Sequence, residues 1–243
     1  MQAAASQRRL AGGPNWQKGN PMSHLVSADA EEQYFTFQRH RMVEEQLRQR
    51  GIDNERVLAA FEELPRHLFV PPELRRQAYD DHPLPIGFGQ TISQAYVVAF
   101  TVQALRLTGS ERVLDVGTGS GYQAAVLAQL AGEVHSVEIV PELAAGAAPL
   151  LARLAMTNVH VHIADGSMGW LDSAPYAAIC AAAAARRVPR ALLEQLAEGG
   201  RLVLPVGELG AQRLELWQRS PNGFDSWPLL PVAYVPMKGE AAG

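Results

Sequence analysis

The sequence predicts an α/β protein built on a doubly wound, mostly parallel sheet that ends in an antiparallel hairpin. Three observations carry this. A short apolar run at residues 113–116 is followed by Gly117, Gly119 and Gly121 at alternate positions, then by good helix formers over residues 123–130. Strand, glycine turn and helix thus follow in immediate succession. From there to Val206, strand-like and helix-like segments alternate, as parallel strands joined by crossover helices require. Residues 213–235 then hold strand patterns with no room for a helix between them, so this end pairs antiparallel.

Residues 1–28 are rich in Gly, Pro, Asn, Gln and Ser without a period and read as a mobile tail, which leaves open whether translation begins at Met1 or Met22. Residues 29–243 form one domain, with helices and a loop over 29–106 and the sheet over 107–243. A helix is expected over 30–50, with Tyr34, Phe37, Met42, Val43 and Leu47 inward and Gly51 as its stop. Asp53 is placed to cap a helix over 54–64, closed by Pro65. A turn at 69–72 and a short helix at 73–79 follow. Residues 81–94 have neither helical nor strand period, yet are too apolar for an idle loop, and such segments tend to be functional. A helix over 95–105 starts beside Ser93, with Gln94 or Ser93 near its cap. Further on, strands are expected at 134–138, 159–163, 176–182, 201–206, 213–218 and 230–235. Helices are expected at 141–155 and 189–196, the latter closed by Gly199 and Gly200.

Net charge is −4, which carries no sign of a nucleic-acid-binding field, and only two lysines occur, Lys18 and Lys238. The single cysteine, Cys180, sits in an apolar run and reads as a buried structural thiol. No apolar run reaches the roughly 18 residues of a membrane span. The N-terminus lacks the apolar core of a secretory signal. These features imply a cytoplasmic protein.

The glycine spacing narrows the ligand. Dinucleotide sites use G-x-G-x-x-G, with a helix N-terminus facing a pyrophosphate. Here the pattern is D-x-G-x-G-x-G, and Asp115 suits an ammonium group better than a phosphate. About 20 residues on, the next strand ends in Glu138, placed to accept both ribose hydroxyls. An adenosine ligand with a cationic amino-acid tail and no phosphate is S-adenosyl-L-methionine, which leaves its reaction as S-adenosyl-L-homocysteine.

Several stretches together resemble the protein-L-isoaspartate O-methyltransferase family, over roughly residues 41–239. Met42-Val-Glu-Glu-Gln-Leu47 and Leu64-Pro-Arg-His-Leu-Phe-Val-Pro71 are similar to its early segments. Leu84-Pro-Ile-Gly-Phe-Gly-Gln-Thr-Ile-Ser-Gln94 is the most specific. The glycine motif, Ala164-Asp-Gly-Ser-Met-Gly-Trp170, Leu202-Val-Leu-Pro-Val-Gly207 and Tyr234-Val-Pro-Met237 complete the likeness. The resemblance implies the Rossmann-like class I methyltransferase fold, with seven strands and a substrate lid of N-terminal helices. It implies that Asp115, Gly117, Thr118, Gly119 and Gly121 hold the methionyl part of the cofactor, Glu138 the ribose, and Asp165 with Gly166 the adenine edge. Thr91, Ile92 and Ser93 would line the acceptor cleft, with the Ser93 hydroxyl on the acceptor carboxylate. The expected partners are isoaspartyl-containing proteins and peptides, with no nucleic acid or membrane, met by a monomer. The methyl ester formed on the isoaspartyl α-carboxylate would close to a succinimide and reopen partly to normal aspartate.

The sequence departs from the family pattern at 175–185. Ala177 stands where an acid is usual and Ala182 where a threonine is; Ala95 replaces a proline. Lost polar groups beside the site leave two rivals to isoaspartate repair. One is methylation of an aspartate in a dedicated peptide partner, the other cofactor binding without turnover. His160 and His162 share a strand face but have no third ligand in the sequence, so no metal site is expected. Ser93, His67 and Asp81 lack a nucleophile elbow and form no hydrolase triad. Tyr122 and Trp170 suit packing and ligand contact equally.

Overall fold

The computed structural model describes residues 21–242, with side chains from Asp29 onward. The predicted tail lies outside them for residues 1–20, and helix α1, Pro21–Arg41, begins within its remainder. The chain divides into a short unit ending at Tyr34 and a main unit from Phe35 on, which carries all remaining elements.

The first helical stretch does not run on regularly to Arg50. It widens into π turns over Met42–Leu47 and tightens again over Arg48–Arg50 before Gly51, at φ 91°, stops it. Met42, Val43 and Leu47 are buried as expected. The wider turns shift the helical phase, so Phe35 faces inward while Phe37 is 61% exposed. Helix α2, Glu55–Glu63, is capped by Asn54 rather than Asp53; the Asn54 carboxamide oxygen accepts from the N–H groups of Arg56 and Val57. Short 3₁₀ turns follow at Arg66–Phe69 and Pro72–Gln77.

The segment expected to be a loop is instead a small hairpin, β1 (Leu84–Gly87) against β2 (Gln90–Ile92). Helix α3, Ala95–Leu105, starts directly after Gln94. Then come β3 (Arg112–Val116), α4 (Tyr122–Ala128), β4 (Glu133–Glu138), α5 (Pro141–Arg153), β5 (Val159–Ile163), β6 (Tyr176–Ala181) and α6 (Arg190–Glu194). The last strands are β7 (Leu196–Val206), β8 (Arg213–Ser220) and β9 (Gly223–Pro231). Gly199 and Gly200 do not close a helix; they lie inside β7. A Cβ on Gly200 would stand 2.8 Å from the Ala197 carbonyl and 3.0 Å from that of Tyr176, so only glycine fits this crowded bulge. The final strand lies upstream of the expected 230–235, leaving only Pro221 and Asn222 between β8 and β9.

The seven-stranded sheet runs β5-β4-β3-β6-β7-β8-β9. The first five pair parallel and the last two antiparallel, as the sequence predicts. One face carries a core of Leu114, Val116, Val137, Ile179 and Leu202, with Leu192 of α6 packed on it. Gln123 of α4 reaches Asp115 and Cys180 on the other face, so helices cover both. No helix among the described residues is long and apolar enough to cross a membrane.

Candidate active site

Strand order reverses at β3: β4 and β5 lie to one side, β6 and β7 to the other. Ligands of open α/β sheets bind at the carboxyl ends of strands at such a switch point. There backbone hydrogen bonds tie the strand ends together. The Gly117 N–H donates to the Val137 carbonyl at 2.8 Å, and the Ala182 N–H to the Val116 carbonyl at 2.8 Å. The opening is lined by Gly117, Glu138, Gly166, Ala182, Met237 and Lys238, among others. A Cβ on Gly166 would stand 2.7 Å from Val116 Cγ1, so glycine keeps this wall thin.

The glycine turn is tied to Glu138 directly. The Gly119 N–H donates to Glu138 Oε2 at 2.8 Å, and the Val140 N–H to Oε1 at 2.9 Å. Each oxygen keeps a free acceptor direction, as a ribose diol requires. Thr118 is buried, its hydroxyl 2.6 Å from that of Ser136.

Asp115 does not face the pocket as an ammonium partner would. Its carboxylate is fully buried and accepts from Gln123 Nε2 at 2.8 Å and from Ser136 Oγ at 2.7 Å, with Cys180 Sγ 3.8 Å away. Burial pushes it up to about 6, against the pull of the hydrogen bonds from Gln123 and Ser136. Burial likewise pushes the Cys180 thiol well above its ordinary value. Asp165 stands just behind the lining, where it accepts from the Ser167 N–H and hydroxyl and from the Glu240 N–H. Gly166 alone of that pair lines the pocket.

A second cavity, of about 420 Å³, is lined by Thr91 and Ser93 with Gln94, Tyr96 and Tyr234. Ile92, expected on its wall, is buried in the protein instead, because alternate residues of β2 face opposite ways. The backbone of Ser93 is held by a residue the sequence reading missed. Arg66 is fully buried, donating through Nε to the Ala78 carbonyl and through Nη2 to the Ser93 carbonyl, both at 2.7 Å. Its guanidinium lies over the Tyr122 ring, 4.7 Å from the centroid. Tyr122 also meets Phe61 and Phe69 edge-on, so it is a packing residue.

The departures from the family pattern fall at opposite ends of β6. Ala182, at the carboxyl end, is 3.6 Å from where a Cβ on Gly117 would stand. Ala177 is the second residue of the strand, at the end away from the pocket, so the acid absent there is not lost from the site. His67 hydrogen-bonds Tyr79 and Asp81 pairs with Arg50, so neither serves Ser93. His160 and His162 do meet a third histidine, supplied by β4. His135 Nδ1 is 3.0 Å from His162 Nε2, His160 stacks on His135, and Trp170 stacks on His162. Among the described residues, no group of three or more His, Cys, Asp or Glu is arranged to hold a metal ion.

The seven-stranded sheet with its terminal hairpin, and the glycine turn bonded to an acid on the next strand, define an S-adenosylmethionine-dependent methyltransferase. Residues 38–242 match the family model described as protein-L-isoaspartate(D-aspartate) O-methyltransferase, and the chain belongs to that family. It is 52% identical over 206 residues to protein-L-isoaspartate O-methyltransferase 1 of Syntrophobacter fumaroxidans, covering 85% of this chain and 96% of that protein. To the protein of the same function name from Anaeromyxobacter dehalogenans it is 56% identical over 200 residues, covering 81% and 96%. Among solved structures, a protein-L-isoaspartate O-methyltransferase superposes with TM-score 0.75 at 27% identity, over 84% of this chain and 67% of that one. A putative one from Plasmodium falciparum, in complex with S-adenosyl-L-homocysteine, superposes with TM-score 0.71 at 26% identity, over 82% and 98%.

Proposed function

We propose that this protein transfers a methyl group from S-adenosyl-L-methionine to the free α-carboxylate of L-isoaspartyl residues in damaged proteins and peptides, the step that initiates their repair. The observation that carries this is the family match over residues 38–242, which includes both the acceptor hairpin and the glycine turn.

The residues present fit the cofactor. Glu138 has acceptor directions to spare for two ribose hydroxyls, and Gly166 leaves a thin wall for the adenine. The backbone of Gly117, Thr118, Gly119 and Gly121 would hold the methionyl part. Asp115 would act at one remove, fixing the start of the turn through Gln123 and Ser136. Asp165 would act likewise, anchoring Gly166 through Ser167 and the Glu240 N–H. When bound, S-adenosylmethionine supplies a sulfonium-activated methyl group.

The acceptor, a carboxylate of pKa about 4, is ionised at pH 7, so no residue has to remove a proton. The protein's task is to hold it in line and partly out of water, which is worth several kcal/mol when reacting atoms are kept about 3–3.5 Å apart. Thr91 and Ser93 would line its path, and the Ser93 hydroxyl would orient it without neutralising it. A guanidinium in that place would bind more tightly and blunt the nucleophile. The same reading takes the protein as a cytoplasmic monomer with no nucleic acid or membrane partner, which the modest negative charge and the buried lone thiol support.

The test uses methyl-labelled S-adenosylmethionine with a matched pair of peptides, one isoaspartyl and one aspartyl. Base-labile label on the isoaspartyl peptide alone is the expected result. Label on neither, with S-adenosylhomocysteine still bound in calorimetry, would reject isoaspartate repair in favour of a dedicated acceptor or no turnover.

A further inference from the structure

Tyr234 lies outside every role assigned above. Its backbone is clamped at both ends by one buried side chain: the Tyr234 N–H donates to Gln212 Oε1 at 2.6 Å, and Gln212 Nε2 donates to the Tyr234 carbonyl at 3.1 Å. Tyr234 forms a small buried cluster with Val97 and Ala184, against which Ala182 packs, and the residue is only 9% exposed. Ala182 in turn stands against Gly117, so this cluster lies between the glycine turn and the cavity that Tyr234 lines together with Ser93.

The hydroxyl at the end of this fixed ring is buried and makes no hydrogen bond of regular geometry. A buried hydroxyl left unpaired is costly, so a tyrosine is favoured here only where a partner comes within reach. Ser93 lines the same cavity, and its side chain acts on the phenol. Burial pushes the phenol up to about 12, while the Ser93 hydroxyl pulls the other way. The phenol therefore stays protonated, and able to donate, at every pH the reaction needs. Ser93 has one freedom left to settle: Arg66 grips its carbonyl, leaving the side-chain torsion open.

We propose that Tyr234 is a positioning residue for methyl transfer: its hydroxyl donates to Ser93 Oγ and turns the Ser93 proton toward the acceptor carboxylate. This rests on the isoaspartyl methyltransferase reading and on Ser93 as the group that meets the acceptor. A serine so held presents one rotamer to the carboxylate rather than three, and its own O–H is polarised by the phenol. The glycine turn, Ala182, Tyr234 and Ser93 then form one packed series from the cofactor pocket to the acceptor cavity.

The test is a double-mutant cycle of wild type, Ser93→Ala, Tyr234→Phe and the double variant, assayed on an isoaspartyl peptide. Tyr234→Phe keeps the ring and its packing and removes only the hydroxyl. The expected result is a fall in kcat of roughly 10-fold, with S-adenosylhomocysteine affinity by calorimetry and Tm close to wild type. In the Ser93→Ala background the same change should have no further effect, because a group acting through Ser93 has nothing left to orient. Wild-type kcat in Tyr234→Phe would overturn the proposal, and so would losses that simply multiply in the double variant. A wild-type protein inactive on isoaspartyl peptides would remove the underlying reading and this role together, an outcome distinct from an active wild type with an indifferent Tyr234.

Discussion

Arg66 and Ser93 are joined through the backbone: Nη2 of a fully buried guanidinium donates to the Ser93 carbonyl at 2.7 Å. The same fork holds the Ala78 carbonyl, so one side chain fixes the spacing between the 3₁₀ segment and the end of the β1–β2 hairpin. Arg66→Lys keeps the charge but cannot bridge two carbonyls. It should destabilise the protein by about 2 kcal/mol, the scale of a buried hydrogen bond to a charged donor. Peptide turnover should fall more than cofactor affinity, as thermal unfolding, steady-state kinetics and calorimetry would show together.

Gly119 has φ 53° and a Cβ there would stand 3.3 Å from Ile86 Cδ1, on the hairpin above it. A β-branched residue is strained at that φ by about 1–3 kcal/mol, and moving this N–H releases Glu138 Oε2. Gly119→Val should therefore abolish measurable S-adenosylhomocysteine binding in calorimetry. Unchanged affinity would show that the turn does not form the cofactor site.

The histidine cluster sets a pH dependence. The contact between His135 Nδ1 and His162 Nε2 needs one donor and one neutral acceptor, so it fails when both rings carry two protons. Burial holds both histidines below their ordinary values, with His160 adding repulsion; Glu133 beside His135 and Asp172 near His162 pull the other way. Depressed histidines favour the fold when neutral. Their contribution is complete above about pH 6.5 and is lost as pH falls from there toward the folded-state values. His162→Phe, which keeps a ring against Trp170, should cost about 1 kcal/mol at pH 8. That cost should shrink below pH 6.5 in denaturant titrations; a cost independent of pH would exclude the cluster as the titrating element.

Ala177 and Ala182 should behave differently. Ala177→Asp, at the amino end of β6, should leave kcat/KM for an isoaspartyl peptide within about twofold. Ala182→Thr adds two atoms in the pocket beside Gly117 and should change the apparent affinity for cofactor or peptide by more than that. Equal indifference at both positions would show that the pocket wall tolerates the change.

What could be read from the sequence was what is local. The glycine turn, the acid on β4, the start of α3 after Gln94 and the antiparallel end all follow from short-range pattern. The errors have physical causes. Extrapolating a 3.6-residue period back from Leu47 selects Phe37 because the π turns at Met42–Leu47 are invisible to it. The hairpin at Leu84–Ile92 is hidden by Pro85, Gly87 and Gly89, and exists through pairing rather than propensity. Arg66 looks like a surface cation beside His67, and only the meeting of Ala78 and Ser93 around it reveals the clamp. Tyr234 reads as an ordinary strand-end aromatic; its importance depends on Ser93, 141 positions away. The histidine pair on β5 meets a third histidine only through β4, and that meeting is one of hydrogen bonding and stacking.

The pocket proposed for the cofactor draws its wall from Gln90 through Gly117, Glu138, Gly166 and Ala182 to Lys238. No fragment ending before Lys238 has the complete wall, so a cofactor held there would bind the native chain and not the unfolded one. A ligand of that kind raises the free energy of unfolding by about 2.7 kcal/mol at a hundred times its Kd. The methyl donor would then be a stabiliser as well as a reagent, and the folded fraction of the enzyme would rise with the supply of its own cofactor.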